Sequence, residues 1–252
     1  MNSLCGGCTI QDNNVCDVCK SLTPLKLDNA FEQELTVAKQ IDGCLFPDEE
    51  AFLAQLAKQC TGKGVIVELG SYLGRSTTSL AIGSRLGSNV KVYTFDSYEG
   101  DSAMETNPNM FDIMKGNLVK GGVVDQVIAT LGKTHLPPDS FNKPVELLFV
   151  DADHEFKATK RDYDAWESKV IVGGKIAFHD TYDIVQGGVR FVGPLKVIGE
   201  CCYDNPGFKL LGRFQSITVV EKQEAKPEAV YKEAPKIVTA KQKTSKTSTK
   251  KQ

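Results

Sequence analysis

The sequence predicts an α/β fold in which a doubly wound, mostly parallel sheet of seven strands ends in an antiparallel hairpin. Short apolar segments alternate with longer segments whose apolar residues recur at helical spacing. Continuously apolar strands joined by helices are typical of a parallel sheet that helices cover on both faces. Near the end of the chain, two strand-like segments flank a short turn, which is the pattern of a hairpin.

The main domain is predicted to span residues 64–221, with strands and helices in alternation. The apolar segments predicted to form the parallel strands are Val65–Leu69, Val90–Phe95, Gln126–Leu131, Glu146–Val150 and Lys175–Phe178. The helices predicted between them are Arg75–Leu86, Asn109–Val119 and Glu155–Val170. The closing hairpin is predicted to pair Phe208–Gly212 with Ser216–Glu221.

Residues 28–63 are predicted to form a helical extension ahead of the main domain. Asp28 is a candidate N-cap for a first helix, because apolar residues follow it at helical spacing. Pro47 suits the first turn of a second helix, and the acids after it favour the positive end of the helix dipole.

The composition is that of a globular protein, since hydrophobic residues make up 41% of the 252 residues and charged residues 25%. No apolar run approaches the ~20 residues that cross a bilayer, and the N-terminus lacks the pattern of a secretory signal. We therefore expect a cytoplasmic protein without a membrane partner.

Charge is divided unevenly along the chain. The net charge is −2, yet the segment from residue 221 to the end holds nine Lys and four Glu. The acidic remainder argues against a nucleic-acid partner. Residues 222–252 hold few apolar side chains, so we predict a disordered, Lys-rich tail.

Residues 1–27 form a cysteine-rich head with the spacing Cys5-x2-Cys8-x7-Cys16-x2-Cys19. Two C-x-x-C pairs are typical of a structural Zn²⁺ site. A head this short lacks a core of its own, and zinc supplies on the order of 10–16 kcal/mol of folding free energy in finger peptides. We predict a structural zinc. An iron–sulfur cluster and free thiols in an unfolded end are the less favoured alternatives.

A glycine-containing motif joins the first strand of the main domain to its first helix: Glu68-x-Gly70-Ser71-Tyr72-x-Gly74-Arg-Ser76. Glycine lets backbone approach a ligand closely, and the helix N-terminus offers N–H donors. The motif is not the G-x-G-x-x-G of dinucleotide-binding proteins, so a nicotinamide dehydrogenase is a weaker alternative. Glu68 would repel a pyrophosphate and attract a positive ligand. We predict that these residues bind a cofactor; a tight turn without a ligand is the alternative.

Asp96 ends the second strand, about twenty residues after the glycines, and Ser97 follows it. An acid at this position typically binds the ribose hydroxyls of a nucleotide. An Asp that only caps the next loop is the alternative. The two motifs together favour a cofactor that contains a nucleoside.

Acids and imidazoles follow the two later strands. Asp151 and His154 come after one strand, and His179 and Asp180 after the next. Because ligands of open parallel sheets bind at the carboxyl ends of the strands, these groups are predicted to converge. Such a set suits a divalent metal such as Mg²⁺ or Mn²⁺, unless the groups only cap helices and pair with Lys or Arg. The third histidine, His135, is predicted to lie at the surface.

Taken in order, these motifs resemble those of class I S-adenosylmethionine-dependent methyltransferases. More narrowly, they resemble the branch with macrocin-type sugar O-methyltransferases and cephalosporin-hydroxylase-like proteins. The resemblance covers about residues 43–221 and rests on Glu68-x-Gly70-x-x-x-Gly74-Arg-Ser76, Asp96-Ser-Tyr-Glu-Gly, Phe149-Val-Asp151-Ala-Asp-His154 and Gly173-Gly-x-Ile-x-x-His179-Asp180. It implies a Rossmann-like fold, S-adenosylmethionine as the methyl donor, and metal-assisted transfer to a hydroxyl of a small molecule or sugar.

The resemblance also implies roles for individual residues. The methionine part of the cofactor would be lined by Glu68, Gly70, Ser71 and Gly74. The ribose would meet Asp96 and Ser97, and the adenine would lie near Gly132 and Lys133. The divalent metal would be held by Asp151, His179 and Asp180, although the relatives carry an acid where His179 stands. His154 would be the general base.

Two other functions stay open at the level of sequence. One is a hydroxylase-like enzyme on the same fold, and the other is a zinc-knuckle interaction protein whose domain binds the cofactor without chemistry. The presence of both Asp151 and His154 favours an enzyme. The helical region from Phe31 to Phe52 would supply the interface of a homo-oligomer. Glu99–Asn117 and Thr181–Gly193 are candidate lid loops over the acceptor.

Overall fold

The computed structural model describes residues 13–99, 109–181, 184–186 and 189–224, with the backbone alone at 13–16, 184–186 and 189–191. Among them, no helix has the length and apolarity that a membrane span requires. The helices are α1 (Asn13–Ser21), α2 (Thr36–Lys39), α3 (Glu49–Lys58), α4 (Arg75–Arg85), α5 (Met110–Lys120), α6 (Phe156–Trp166) and α7 (Gly193–Cys201). The strands are β1 (Val65–Leu69), β2 (Val92–Asp96), β3 (Val127–Leu131), β4 (Val145–Val150), β5 (Val170–Phe178), β6 (Ile184–Gln186), β7 (Val189–Phe191), β8 (Phe208–Phe214) and β9 (Ile217–Lys222).

Seven strands form one sheet in the order β3-β2-β1-β4-β5-β9-β8. The first five in this order are parallel, and β9 and β8 are antiparallel to their neighbours, which confirms the predicted fold class. The register aligns the ends of the central strands: Leu69 lies beside both Phe95 and Val150, and Val150 lies beside Phe178. The residues that follow these strands therefore meet at one edge of the sheet.

Apolar side chains cover both faces of the sheet, as the continuously apolar strands require. On one face, Trp166 of α6 packs against Phe95 and Phe141, with ring centroids 4.9 and 5.0 Å apart. On the other face, Phe52 of α3 and Leu80 of α4 are buried against the strands. Full burial of each such side chain contributes roughly 1.5–3 kcal/mol. Helices thus fix the strands, and the strands fix the residues at their ends.

The extension ahead of the main domain differs from its prediction. Asp28 does not cap a helix: its N–H donates to Gln55 Oε1 at 2.7 Å, and the first helix is the single turn α2. Phe31 has a φ of 49°, a left-handed conformation that interrupts a helix. The second helix begins at Glu49 rather than at Pro47, because Asp48 has a φ of 68°.

The described part of the cysteine-rich head packs on the main domain. Helix α1 contacts α7, and Val18, Cys19 and Leu22 are buried in the core. Thr23 and Leu25 then exchange backbone hydrogen bonds with Arg213 along the edge of β8. Two of the predicted zinc ligands, Cys5 and Cys8, lie outside the described residues, as does the side chain of Cys16, so the zinc site stays a prediction. The predicted disordered tail likewise lies outside them from residue 225.

Two further elements differ from the sequence prediction. The helix predicted over Glu155–Val170 ends at Trp166, and β5 starts at Val170, because the run that follows is β-branched and apolar. The predicted lid loop Thr181–Gly193 contains the paired strands β6 and β7, and α7 follows it. Within the other predicted lid, Glu99–Asn117, residues 100–108 lie outside the described residues.

Candidate active site

The carboxyl ends of the five parallel strands, β1 to β5, line a cavity of about 290 Å³. Its walls come from the loops after these strands, from α6 and from the segment ahead of α3. The predicted site residues on its wall are Gly70, Ser71, Tyr72, Ser76, Asp96, Ser97, Lys133, Asp151, His154 and Asp180. The predicted site residues that are not on its wall are Glu68, Gly74, Gly132 and His179. The arrangement confines polar groups from five strand ends to one space.

The loop between β1 and α4 depends on a glycine at its start. Gly70 has a φ of 88°, and a Cβ at this position would lie 2.2 Å from the carbonyl oxygen of Asp151. Any other residue would therefore force the ends of β1 and β4 apart. Gly74 has a φ of 89° and precedes the first turn of α4. Gly70 thus serves the close approach of backbone to backbone, and Gly74 serves the left-handed turn into α4.

Asp96 organises this loop from the end of β2. One carboxylate oxygen, Oδ2, accepts the N–H groups of Ser71 at 2.8 Å and Tyr72 at 2.9 Å. The other, Oδ1, accepts the N–H of Tyr98 at 2.8 Å. The predicted ribose-binding acid thus also holds the glycine loop against β2, and its carboxylate is fixed before a ligand arrives.

Glu68 lies on β1, behind the loop, and is fully buried. Thr77 Oγ1 donates to its Oε2 at 2.5 Å. Burial raises the pKa of Glu68 to about 7, although the hydrogen bonds from Ser76, Thr77 and Thr94 act in the opposite direction. The side chain therefore changes its charge near neutral pH beneath the predicted methionine site.

An acid–imidazole cluster lies at the ends of β4 and β5. Asp151, His154 and Asp180 each offer a ligand atom within 4.8 Å of the others. His154 Nε2 lies 2.8 Å from Asp180 Oδ2 and 4.0 Å from Asp151 Oδ1. Asp180 has a φ of 49°, a left-handed conformation that is uncommon for residues other than glycine. Two carboxylates and one imidazole suit either a proton transfer or a divalent cation.

His179 differs from its predicted role as a metal ligand. Its Nε2 lies 2.8 Å from Glu49 Oε2, and its Nδ1 lies 2.9 Å from Asp151 Oδ1. Both ring nitrogens therefore face carboxylates. Burial would lower the pKa of His179, but these carboxylates raise it well above its ordinary value. A doubly protonated imidazole has no lone pair for a metal, and His154 takes its place in the cluster.

The two acids of the cluster have pKa values shifted in opposite directions. Burial raises the pKa of Asp151, against the attraction of His179. Burial also opposes ionisation of Asp180, but hydrogen bonds from His154 and His179 and their charge hold its pKa below the ordinary value. Asp180 is therefore the ionised partner of His154.

The structure adds residues that the sequence analysis missed. His135, predicted to lie at the surface, lines the cavity, as do Tyr98, Arg161 and Asp162. Glu49 reaches the cluster through His179 from the helical extension. The position of Asp162 one and a half helical turns into α6 gives no local sign of a site. Only the fold brings these groups to the ends of the strands.

The fold is that of the class I, S-adenosylmethionine-dependent methyltransferases, in which a seven-stranded sheet ends in an antiparallel pair. Residues 67–181 match the family model described as a methyltransferase domain. This segment runs from β1 to the residue after Asp180 and contains the glycine loop, Asp96 and the acid–imidazole cluster. The predicted fold and the resemblance to a methyltransferase domain are confirmed; the narrower macrocin-type branch stays a prediction.

Solved structures share the fold at low sequence identity. An O-methyltransferase from Bacillus cereus in complex with SAH is 17% identical, with a TM-score of 0.55 over 87% of this chain and 95% of that one. The SAH-bound methyltransferase PaMTH1 from Podospora anserina is 16% identical, with a TM-score of 0.59 over 84% and 95%. The O-methyltransferase TomG from Streptomyces achromogenes, in complex with SAM, is 15% identical, with a TM-score of 0.53 over 84% and 96%.

Proposed function

We propose that this protein transfers a methyl group from S-adenosylmethionine to a hydroxyl group of a small molecule or sugar. The observation that carries the proposal is the cluster of Asp151, His154 and Asp180 in the same cavity as the glycine loop and Asp96. A domain that only bound the cofactor would have no use for a base beside it. Two of the similar structures, from Bacillus cereus and Streptomyces achromogenes, are O-methyltransferases, which supports a hydroxyl as the acceptor.

The cavity residues fit the nucleoside part of the cofactor. Asp96 offers carboxylate oxygens at the position where parallel sheets bind ribose, and Ser71 and Ser97 add hydroxyls on the same wall. The cavity of about 290 Å³ lies at the lower end of the usual range for ligand sites. When bound, the cofactor supplies an electrophilic methyl group on sulfur. The chain must position the acceptor hydroxyl and remove its proton.

We assign the proton transfer to His154, positioned by Asp180. A carboxylate at 2.8 Å from Nε2 favours the tautomer that carries the proton on Nε2, so Nδ1 carries the lone pair. The depressed pKa of Asp180 keeps this partner ionised. A positioned general base of this kind contributes about 10²–10⁴-fold to the rate. Asp151 and the imidazolium of His179 then fix the electrostatic surroundings of the pair.

The same cluster fits a divalent cation, held by Asp151, His154 and Asp180 in place of the predicted set with His179. Such an ion would lower the pKa of the acceptor hydroxyl. His154 cannot bind the ion and accept the proton through one nitrogen, so the two arrangements make different predictions. Loss of activity in EDTA, with recovery on addition of Mg²⁺, supports the cation. Activity that EDTA leaves unchanged supports the His154–Asp180 pair.

Calorimetric titration with S-adenosylhomocysteine, with and without Mg²⁺, tests the cofactor assignment. We expect micromolar affinity in the wild-type protein and loss of at least tenfold in Asp96→Ala. Asp164→Ala, an exposed acid on α6 that pairs with Lys160, is the control and should bind as the wild type does. Absence of binding by the folded wild-type protein in both buffers would overturn the proposal.

His154→Ala tests the assignment of the base. The variant should bind S-adenosylhomocysteine within threefold of wild type, because the side chain acts on the acceptor. Methyl transfer from labelled S-adenosylmethionine to the best acceptor from a panel of sugars and phenols should fall at least tenfold. Lys160→Ala, on the exposed side of α6, is the control. Unchanged turnover in His154→Ala would rule out the base.

A further inference from the structure

The cavity wall holds a buried acid that the proposed chemistry does not use. Asp162 lies on α6, lines the cavity and is 2% exposed. Its Oδ1 accepts a hydrogen bond from Thr134 Oγ1 at 2.6 Å, and Trp166 Nε1 donates to the carbonyl oxygen of Thr134 at 2.7 Å. Within the part of the chain that the structure describes, no hydrogen bond reaches Oδ2. The small exposed part of Asp162 faces the cavity, so a donor bound there would complete the hydrogen bonding of the carboxylate.

The sheet order places Asp162 at the end of the cavity where a nucleoside base would lie. The acid–imidazole cluster follows β4 and β5, the glycine loop follows β1, Asp96 follows β2, and Thr134 follows β3. From β4 to β3 there are three interstrand steps, about 14 Å in all. In the cofactor the ribose joins sulfur through its 5′ carbon and the base through its 1′ carbon. With ribose at Asp96 and sulfur towards the cluster, the base points to β3.

We propose that Asp162 selects the adenine base of the cofactor by accepting a hydrogen bond from its exocyclic amine at Oδ2. This inference rests on the proposed function, because it needs S-adenosylmethionine in the cavity. Thr134 positions the carboxylate: its hydroxyl occupies Oδ1 and leaves Oδ2 as the acceptor. A purine without the 6-amino group offers no donor at this point and leaves the buried acid incompletely bonded.

The charge of Asp162 sets the conditions of the test. Burial raises its pKa to about 6, with Thr134 and Arg161 acting in the opposite direction and Asp153 adding to the rise. Lys133, on the loop after β3, adds positive charge near Arg161. Burial and these two cations lower the pKa of His135, so its imidazole is neutral at pH 8. At pH 8 the carboxylate is ionised and is the stronger acceptor.

The test compares the binding of two ligands by calorimetry at pH 8. One is S-adenosylhomocysteine, and the other is its 6-deamino analogue, in which hydrogen replaces the amine. We expect the wild-type protein to prefer S-adenosylhomocysteine by about tenfold or more, the effect of one hydrogen bond to a charged acceptor. In Asp162→Asn, Thr134 keeps the amide oxygen at the place of Oδ1, so an amide N–H₂ faces the amine. The preference should fall below threefold.

Asp164→Asn is the matched control on the same helix, outside the cavity, and should keep the wild-type preference. A preference in folded Asp162→Asn equal to that of wild type would overturn the inference and leave Asp162 a structural link between α6 and Thr134. If Asp162→Asn does not fold, Thr134→Val is the second test of the inference, because it removes the hydroxyl that positions the carboxylate. A preference for S-adenosylhomocysteine at least threefold below that of wild type supports the inference. Any smaller change overturns it. Failure of the folded wild-type protein to bind S-adenosylhomocysteine would overturn the proposed function itself.

Discussion

Glu68 and Glu146 are acids on neighbouring strands, β1 and β4, with opposite surroundings. Glu68 is fully buried among hydroxyl groups, and its pKa is raised to about 7. Glu146 accepts hydrogen bonds from the N–H groups of Thr61, Gly62 and Gly64, which lower its pKa despite its partial burial. The first acid takes up a proton on folding near neutral pH, and the second is ionised there in both states.

Glu68→Gln should therefore change how stability depends on pH. Because the folded pKa of Glu68 lies above its ordinary 4.5, its contribution to stability is full below pH 4.5 and is lost as the pH rises through 7. Between pH 5 and pH 8 the wild-type protein should lose about 2–3 kcal/mol relative to the variant, measured by urea unfolding. Glu146→Gln is the control: its cost should be the same at both pH values. Parallel curves for wild type and Glu68→Gln would contradict the raised pKa.

The position of Glu49 shows which part of the site no local pattern predicts. The motif that ends in His179 and Asp180 could be recognised from the sequence, but the carboxylate that holds His179 lies 130 residues earlier. Glu49 also accepts hydrogen bonds from the N–H and Oγ of Ser216 at 2.8 and 2.6 Å. The raised pKa of His179, which opposes a role as a metal ligand, depends in part on this distant partner as well as on Asp151 and Asp180. Tertiary contacts, rather than the order of residues, set its protonation.

At the scale of elements, the contact between α3 and α4 fixes the extension to the sheet. Gly83 of α4 lies so close to α3 that a Cβ would be 2.1 Å from the carbonyl oxygen of Ala54. Arg75 in the first turn of α4 also forms an ion pair with the buried Glu50 of α3. Glycine inside a helix costs about 1 kcal/mol relative to alanine, so its presence here is explained by the close packing of the two helices.

Gly83→Ala should destabilise the protein, because the backbone of α3 must move to admit the methyl group. We expect the free energy of unfolding to fall by about 1–3 kcal/mol, measured by urea titration. Gly116→Ala on α5 is the matched control. Beyond its own helix, no atom of the described residues lies within 4 Å of a Cβ at this position, so the change should stabilise by up to about 1 kcal/mol. Equal effects of the two changes would contradict the packing argument.

Elements with a strong apolar pattern could be predicted, and elements set by tertiary contacts could not. The prediction for β1 matches residue for residue, and the helix predicted from Arg75 differs from α4 by one residue at its end. The first helix predicted after Asp28 is wrong over most of its length, because Phe31 takes a left-handed conformation. Helix α7 is absent from the sequence prediction, because the Gly-Pro pair at its start is typical of a turn. The helix is stabilised by tertiary contacts that bury Leu195 and Ile198.

At the scale of the whole molecule, the two edges of the sheet differ. Strand β3 is one edge, with Ile128 and Leu131 exposed. Strand β8 is the other, and the chain's own segment at Thr23 and Leu25 covers it through hydrogen bonds with Arg213. An uncovered edge offers unpaired N–H and C=O groups to other chains. The segment ahead of the main domain thus closes the sheet at its antiparallel end.

Deletion of residues 1–27 should for this reason destabilise the methyltransferase domain. It removes Val18 and Leu22, both buried against the core, and it exposes the edge of β8. At roughly 1.5–3 kcal/mol for each buried side chain, the free energy of unfolding should fall by about 3–6 kcal/mol, with concentration-dependent association through the exposed strand. Deletion of residues 225–252, a segment of similar length, is the control and should change stability by less than ~0.5 kcal/mol. Urea titration measures the unfolding midpoints of the two truncated proteins, and light scattering measures their association. Equal midpoints would show that the edge of β8 does not need the segment of residues 1–27 for stability. A large loss in the first alone would place the start of the folded domain at α1, ahead of the boundary at residue 64 that the sequence predicts.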